Sequence, residues 1–301
     1  MNQRQLQYIL TVAEEGSFSA AAQKLYISQP SLSQYVQKIE EELDIKLFER
    51  TKPLRLTYAG ELYVETARNI IFEEDALLKK LADVKDCKIG KLVIGTTPYC
   101  AAWILPPVVK KFYESNPGIS ICIHEASENE LAASIQKGSF DFTISLSPME
   151  NIDFTSTTLA NEEYAVAVSE EFYQNNRKLF PANEADSICL SNFKNAKFIT
   201  MHPGYPQYFV CHELLEKASI SPEVIVTAES LTVIHSLVQA GIGISILPHG
   251  MFLECNFNSN IRHFRVKDCE LRRPIVLSYR TNQYISKAAD AFIESFKVLW
   301  N

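Results

Sequence analysis

Residues 17–49, SFSAAAQKLYISQPSLSQYVQKIEEELDIKLFE, decide the architecture of the amino-terminal part of the chain. They predict a short helix, a tight turn and a second helix. Ser17 or Ser19 can cap the first helix, because a serine hydroxyl accepts a hydrogen bond from one of the unpaired amides there. Ser28 repeats this chemistry, and Pro30 falls in the first turn of the second helix, where its missing N–H costs nothing.

The second helix has one apolar side and one polar side. Its apolar residues recur at spacings of four, three and four, which predicts a single buried stripe of Leu32, Val36, Ile39 and Leu43. The polar side carries serine hydroxyls and glutamine amides, neutral hydrogen-bonding groups of the kind that read base edges in a major groove. Together with Pro30 and the cation Lys38, the residues predicted to contact DNA on this helix are Ser28, Gln29, Pro30, Ser31, Ser33, Gln34, Gln37 and Lys38. A helix–turn–helix places its second helix in that groove. The alternative is the solvated face of an ordinary helical pair, and the pattern alone leaves both open.

The order of residues 17–50, followed by LRLTYAG at 54–60, closely resembles the amino-terminal domain of LysR-type transcriptional regulators. One position departs from the family, which usually has glycine where Asp44 stands. The resemblance implies a sequence-specific regulator that binds pseudo-palindromic, double-stranded promoter DNA. RNA polymerase is a further partner if the protein activates transcription.

A small wing is predicted after the second helix. Residues 46–50 and 54–57 alternate in the manner of strands around Thr51-Lys52-Pro53. Arg50, Lys52 and Arg55 on this wing can neutralise phosphates or enter the minor groove. For each basic residue taken singly, ordinary surface exposure is the alternative.

Residues 58–88 predict one long helix that carries a seven-residue apolar repeat. The repeat comprises Tyr63, Ile70, Leu77 and Val84, with Leu81 beside it. Such a repeat is typical of a coiled-coil seam and favours a dimer over a helix that packs only on its own domain. The family resemblance adds assembly of dimers into a tetramer.

Strands alternate with helices from residue 89 onward, which predicts βαβ units around mostly parallel sheets. Two such sets, with chain crossings near 160–163 and 266–269, resemble the periplasmic-binding-protein-like effector domain of the same family. The predicted fold is an all-α winged helix–turn–helix and linker helix, followed by an α/β domain of two Rossmann-like subdomains. The expected boundaries are 1–58 for DNA binding, 59–88 for the linker, and 89–301 for the effector domain, divided into subdomain I (89–162 and 268–301) and subdomain II (163–267).

Ligands of open α/β sheets bind beyond the carboxyl ends of the strands. That rule, together with the resemblance, predicts an effector site for a small organic anion or other metabolite, formed by Thr96, Thr97, Tyr99, Ser127, Glu128, Ser145, Thr200 and His202. Hydroxyl-rich loops and a histidine suit a carboxylate, and Tyr99 and Trp103 could stack on a ring. Each residue taken singly could equally be a helix cap or turn residue.

Composition and motifs narrow the function classes. Of the 301 residues 47% are hydrophobic and 22% charged, which is ordinary for a soluble protein, and the net charge of −7 requires local rather than overall basicity for DNA binding. No apolar run reaches the roughly 20 residues of a membrane span, and the amino terminus lacks a signal-peptide layout, so we expect a cytoplasmic protein without a membrane partner. We find no hydrolase, zinc-protease or phosphate-loop motif and expect neither an enzyme nor a bound cofactor or metal.

The seven cysteines are scattered without a C-x-x-C pair, which argues for reduced thiols rather than a disulfide scaffold or zinc site. Two alternatives stay open. One is a redox-sensing regulator that switches through cysteines, and the other is a small-molecule-binding module that does not read DNA.

Overall fold

The computed structural model divides the chain into two units. The amino-terminal unit comprises residues 1–87 with the short segments 136–139 and 282–286, and the second unit comprises the rest. The structure describes residues 2–49, 51, 53–84, 89–149, 153–180, 187–252, 260–269 and 271–300. Within that part of the chain, none of the helices combines the length and apolar character that crossing a membrane requires.

The amino-terminal unit contains the predicted helix–turn–helix and its wing. Its elements are α1 (Gln3–Glu15), α2 (Phe18–Lys24), α3 (Gln29–Leu43), β1 (Phe48–Glu49), β2 (Arg55–Leu56) and α4 (Tyr58–Val84). The wing strands are antiparallel, with Glu49 opposite Arg55. The Ser17 hydroxyl accepts a hydrogen bond from the Ala20 amide at the start of α2, and Ser28 accepts one from Ser31 at the start of α3. Both predicted caps are therefore present.

Asp44 ends helix α3 in the left-handed conformation, with φ 52° and ψ 34°. Glycine adopts this conformation without steric cost, and aspartate is among the few other residues that enter it routinely. Asp44 therefore ends α3 in a backbone conformation that glycine would also adopt.

Gly60, in the first turn of α4, lies in close contact with the start of the wing. A Cβ atom at this position would lie 2.0 Å from the carbonyl oxygen of Leu47. Only a residue without a side chain permits α4 to approach the start of the wing so closely.

The second unit alternates strands and helices. Its elements are β3 (Gly90–Thr96), a π-helical turn (Cys100–Ile104), α5 (Leu105–Ser115), β4 (Ile119–Glu125), α6 (Glu128–Gln136), β5 (Phe142–Ser145), β6 (Phe154–Glu162), β7 (Tyr164–Ser169), α7 (Glu170–Asn175), β8 (Ser187–Ile188), β9 (Lys197–Met201), α8 (Pro206–Lys217), β10 (Glu223–Ala228), α9 (Leu231–Gln239), β11 (Ser245–Pro248), β12 (Ile261–Val266), β13 (Arg273–Arg280) and α10 (Lys287–Trp300), with short 3₁₀ turns at 177–179, 190–193 and 249–252.

These strands form two halves. The first half is built on a five-stranded sheet of order β4-β3-β5-β13-β6. The second half is built on a four-stranded sheet of order β11-β7-β12-β8, which the β9–β10 pair extends through a bridge between Phe198 and Ile244. The chain crosses from the first half to the second between Glu162 and Tyr164, and returns between β12 and β13.

The expectation of mostly parallel sheets is wrong in detail, because both main sheets are mixed. β13 runs antiparallel to β5 and β6, and β7 runs antiparallel to β11 and β12. β13 and β7 are the strands that enter a sheet directly from the other half. They arrive without a crossover helix in the same sheet, so the rule that makes consecutive βαβ strands parallel does not constrain them.

The sequence pattern did not predict β6. This strand, FTSTTLANE, lies at the sheet edge, and its middle residues are exposed hydroxyl side chains. Without alternating apolar residues it lacks the pattern that distinguishes a half-buried strand from a loop.

Candidate functional site

The start of α3 presents a continuous polar surface. Gln29, Pro30, Ser31 and Gln34 are exposed, as are Ser28, Gln37 and Lys38, and Ser33 is partly exposed. The opposite side holds Leu32, Val36 and Ile39, which are buried in the core of the unit. The predicted division of the helix into a buried side and a polar, exposed side is therefore observed, with one exception. Leu43, which we expected in the buried stripe, is 47% exposed, because it is the last residue of the helix and lies beyond the turns that pack on the core.

Charges on α3 are arranged so that the reading side stays neutral or basic near its start. The acidic residues Glu41 and Glu42 come about three turns after the start of the helix. Glu41 accepts a hydrogen bond from the Gln37 side-chain amide at 2.9 Å, and Glu42 lies 4.0 Å from Lys38. Anionic phosphate would meet amide and hydroxyl donors first and carboxylates only at the far end.

Glu40 connects α3 to the wing. Its carboxylate is buried and accepts hydrogen bonds from the backbone amides of Leu47 and Phe48, while Lys46 donates to its other oxygen at 3.1 Å. Sequence reasoning did not identify this glutamate as a buried residue. Its position in the apolar stripe, next to Ile39, is the signal that could have identified it as buried.

The wing places Arg55 on its exposed surface. Arg50 and Lys52, the other two basic residues predicted to contact DNA, lie outside the described residues.

Helix α4 carries an exposed apolar row. Ile70, Leu77 and Leu81 are 37%, 54% and 50% exposed, although leucine and isoleucine are usually buried. Tyr63 is partly buried and packs against the core of the amino-terminal unit. Val84 is the last residue of the helix, and its side chain lies outside the described part of the chain.

A cavity of about 730 Å³ lies between the two halves of the second unit. From the first half it is lined by Thr97, Pro98, Tyr99, Trp103, Ala126, Ser127, Glu128, Asn129, Leu146 and Arg273. From the second half it is lined by Met201, Gly204, Tyr205, Pro206, Gln207, Glu229, Ser230, Leu231 and Thr232. This volume falls in the range of small-molecule sites, which are concave and mostly apolar with a few polar groups.

Four of the eight predicted effector residues line this cavity: Thr97, Tyr99, Ser127 and Glu128. Ser127 is also a helix cap, since its hydroxyl and amide both bond to Glu130 and hold the pKa of that carboxyl below its usual value. Ser127 therefore both lines the cavity and caps α6.

The other four predicted residues lie elsewhere. The hydroxyls of Thr96 and Ser145 are buried and bond to the carbonyls of Ile144 and Ser147. Thr200 lines a separate cavity of about 340 Å³ beside α8. His202 is exposed, and its Nδ1 lies 2.9 Å from the Pro203 carbonyl oxygen.

Sequence reasoning missed Arg273, a cation of the cavity wall. Its Nη2 donates to the Ser147 hydroxyl at 2.7 Å. It also bonds to Tyr164, whose pKa is raised by burial, an effect that the cation opposes. No local pattern marks Arg273, because a strand that returns from the other half brings it to the cavity.

The starts of α8 and α9 also line this cavity. Tyr205 and Ser230, the residues that precede the two helices, do not cap them with a side-chain hydrogen bond. At α8, Pro206 has no N–H and the Tyr208 amide donates to the Tyr205 carbonyl at 3.0 Å, so this helix start offers few amides to a ligand. At α9, which begins at Leu231, the partial positive charge of the helix start favours an anion. Tyr205 instead bonds to Glu229, which raises the pKa of the tyrosine.

The cysteines in the described part of the chain are free thiols. Burial raises the pKa of Cys100 and of Cys211 to about 12 and that of Cys269 to about 11. Thiols with such values are poor nucleophiles at neutral pH. Cys87 and Cys255 lie outside the described residues. Among the residues described, no group of three or more His, Cys, Asp or Glu side chains could hold a metal ion.

Known proteins match both units. Residues 3–61 match the family described as bacterial regulatory helix-turn-helix protein, lysR family, and residues 88–299 match the LysR substrate binding domain. A hydrogen peroxide-inducible genes activator of Dickeya chrysanthemi is 27% identical over 281 residues, which cover 93% of this chain and 90% of the relative. The DNA-binding transcriptional dual regulator OxyR of Escherichia coli K12 is 26% identical over 298 residues, which cover 99% and 95%.

Among solved structures, a full-length OxyR variant from Pseudomonas aeruginosa is similar with a TM-score of 0.72 and 23% identity, over 99% of this chain and 95% of that one. This likeness shows the fold of the whole chain. The two family matches show the family, and the relatives named above are transcriptional regulators. The chain therefore belongs to the LysR family of DNA-binding transcriptional regulators.

Proposed function

We propose that the protein binds promoter DNA as a dimer and that a small organic acid, bound in the cavity between the two halves, controls this binding. The observation that carries the first part is the exposed start of α3, where Gln29, Ser31 and Gln34 stand together without an acidic side chain. Such amide and hydroxyl groups form hydrogen bonds to base edges in the major groove. Ser28, Pro30, Ser33, Gln37 and Lys38 complete the proposed reading surface.

The wing contributes affinity rather than sequence choice. Arg55 is exposed on β2, and Arg50 and Lys52 are its proposed companions. Because the net charge is −7, phosphate attraction has to come from such local basic groups.

Dimerisation through α4 supplies the second reading helix. Exposed Ile70, Leu77 and Leu81 fit a coiled-coil seam, to which Tyr63 and Val84 add the remaining positions. Two copies of α3 at a fixed spacing would recognise two half-sites of a pseudo-palindrome. A tetramer through the effector domains, and contact with RNA polymerase if the protein activates transcription, belong to the same proposal.

The cavity suits a small carboxylate with an apolar body. Arg273 and the start of α9 supply positive charge, and Tyr99 and Trp103 supply aromatic surface. Two carboxylates, Glu128 and Glu229, also line the cavity, so the acid should bind near Arg273 and away from them. A ligand that prefers one relative orientation of the halves would shift the population of that orientation.

The protein acts by binding alone in this proposal, in the cytoplasm where DNA is accessible, and needs no cofactor or metal. A redox-sensing regulator is the second candidate, because two relatives are named for hydrogen peroxide or OxyR. The raised pKa values of Cys100, Cys211 and Cys269 weigh against those thiols as sensors.

Footprinting of the full chain on DNA upstream of its own coding sequence tests the DNA-binding part. We expect two protected half-sites on one side of the duplex, about 10 base pairs or a multiple of that apart. Protection of a single site, or none, would contradict the proposal.

Thermal unfolding of the full chain with a panel of small carboxylic acids tests the cavity. We expect at least one acid to raise the midpoint of the wild type but not that of Arg273→Met. Arg272→Met is the matched control, since Arg272 pairs with Glu163 and is not part of the cavity wall. Equal stabilisation of all three proteins, or of none by any acid, would refute a carboxylate site at Arg273.

A further inference from the structure

Glu162 is a buried carboxylate at the first crossing between the two halves. It is the last residue of β6, in the first half, and β7 of the second half begins two residues later. The residue is only 1% exposed. Burying a charge is costly unless it is hydrogen-bonded, so the partners of this carboxylate matter.

The partners of Glu162 come from both halves. From the first half, the Tyr99 hydroxyl donates to Oε2 at 2.5 Å. From the second half, the Gly250 amide donates to Oε1 at 2.9 Å. Burial raises the pKa of Glu162, and the hydrogen bonds from Tyr99 and Gly250 oppose that rise. The carboxylate therefore joins the two halves at the point where the chain passes between them.

Tyr99 also forms part of the cavity wall. It follows β3, and burial followed by the nearby Glu162 charge raises its own pKa well above the usual tyrosine value, so its hydroxyl keeps its proton. A single side chain thus contacts both the cavity and the crossing.

Gly250 makes this arrangement possible by its lack of a side chain. A Cβ atom there would lie 2.6 Å from the Tyr99 hydroxyl oxygen and 2.8 Å from Glu162 Oε2. Any side chain at this position would push the tyrosine and the carboxylate apart.

We propose that Tyr99 and Glu162 form a latch that couples the cavity to the angle between the two halves. A molecule whose acceptor group takes the Tyr99 hydroxyl would release the Glu162 side chain from Tyr99, while the Glu162 backbone stays paired with Arg273 in the first half. The Glu162 side chain would keep its hydrogen bond to Gly250 in the second half. Without the bond to Tyr99, the angle between the two halves could change at the crossing. Tyr99 and Glu162 are positioning residues in this scheme, which rests on the proposed function of the cavity.

The latch can be tested without knowing the ligand. Two spin labels, attached through an unnatural amino acid in place of Glu114 on α5 and Glu171 on α7, report the distance between the halves in the full chain. An excess of unlabelled chain restricts the measurement to one subunit. We expect Tyr99→Phe to shift the mean label distance by about 2 Å or more, or to broaden its distribution to that extent.

The control is Tyr205→Phe. Tyr205 lines the same cavity, but its hydroxyl bonds to Glu229 within the second half, so its removal should leave the distance unchanged. Glu162→Gln and Gly250→Ala should shift the distance in the same direction as Tyr99→Phe. The double variant Tyr99→Phe/Glu162→Gln should shift the label distance no further than the larger of the two single variants does. Both substitutions act on the same hydrogen bond, the one between Tyr99 and Glu162, so their effects should not add.

A thermal midpoint measured for each variant separates release of the latch from general damage. A shifted distance with a midpoint close to the wild-type value supports the latch. A wild-type distance in Tyr99→Phe, or an equal shift in Tyr205→Phe, overturns it. Because no ligand is used, this result is independent of whether the acid panel identifies an effector.

Discussion

The carboxylate oxygen Oε1 of Glu40 lies 2.8 Å from the backbone nitrogen of Leu47, so the recognition helix is bonded directly to the start of the wing. The same oxygen accepts a second hydrogen bond from the Phe48 amide at 3.1 Å. Leu47 and Phe48 are both buried, so water cannot replace this carboxylate as their partner. The two elements that we propose contact DNA are therefore held in one fixed geometry.

Glu40→Ala should destabilise the amino-terminal unit, because it leaves two buried amides unpaired at a cost of about 1–3 kcal/mol each. The measurement is chemical unfolding of the full chain, followed by a signal from the amino-terminal unit. Glu42→Ala is the matched control, since Glu42 is exposed and its ion pair with Lys38 is long. Similar unfolding of the two variants would contradict the role assigned to Glu40.

Gly60→Ala should be at least as damaging. The new methyl group would lie 2.0 Å from the Leu47 carbonyl oxygen, so α4 or the wing would have to move. We expect a loss of about 1–3 kcal/mol of unfolding free energy, the usual cost of overpacking, together with weaker DNA binding. Gly90→Ala is the control, because no other described atom lies within 4 Å of a Cβ placed there. Unchanged DNA affinity in Gly60→Ala would show that this close approach is dispensable.

Leu77→Glu should weaken the dimer. The substitution places a charge in the proposed seam of α4, where it would be buried among apolar side chains of the partner helix. Sedimentation equilibrium of the full chain should show a dissociation constant raised by tenfold or more, which corresponds to about 1.4 kcal/mol. Leu62→Glu is the matched control, since Leu62 is similarly exposed on α4 but off the seven-residue repeat. Equal effects of the two changes would place the dimer interface elsewhere.

The thiols of Cys100 and Cys211 should resist alkylation in the folded protein. With a pKa of about 12, the thiolate fraction at about pH 8 is on the order of 10⁻⁴, and both side chains are buried. Mass spectrometry after brief treatment with iodoacetamide checks this, with partly exposed Cys122 as the internal comparison. Rapid labelling of Cys100 or Cys211 would contradict this prediction and would favour the alternative that the protein senses oxidants through a cysteine.

Glu162 gives the second unit a pH-dependent contribution to stability. Because its pKa is raised in the folded protein, its contribution is largest below the ordinary glutamate value of 4.5 and is lost as the pH rises through the raised value. As the pH rises from 4.5 through the raised pKa of Glu162, we therefore expect the thermal midpoint of Glu162→Gln to fall less than the midpoint of the wild type. Parallel pH profiles would mean that the carboxylate is not protonated in this range.

The helix–turn–helix was predictable because its signals are local. Ser17, Ser28 and Pro30 mark the helix starts, and the spacing of Leu32, Val36 and Ile39 marks the buried side. The cavity was predictable only in part. Thr97, Tyr99, Ser127 and Glu128 follow strands of the first half, where the rule for α/β sheets applies directly.

The missed residues depend on long-range topology. Arg273 reaches the cavity because β13 returns from the second half, and Glu162 is buried because edge strand β6 ends at the crossing. Thr96 and Ser145, by contrast, stand at strand ends, but their hydroxyls bond to the neighbouring backbone. Sheet order and register decide the direction of a side chain at a strand end. A local sequence pattern contains neither.

The most direct test of DNA reading by α3 compares two changes in DNA binding by the full chain, on its own upstream DNA and on unrelated DNA, over a range of salt concentrations. Gln29→Ala/Ser33→Ala should weaken binding to the upstream DNA alone, by about 1–3 kcal/mol for each hydrogen bond to a base that is removed, with little change in salt dependence. Arg55→Ala should weaken binding to both DNAs and reduce the salt slope by about 1. If Gln29→Ala/Ser33→Ala left binding to the upstream DNA unchanged, α3 would not be the reading helix, and the central claim would be wrong.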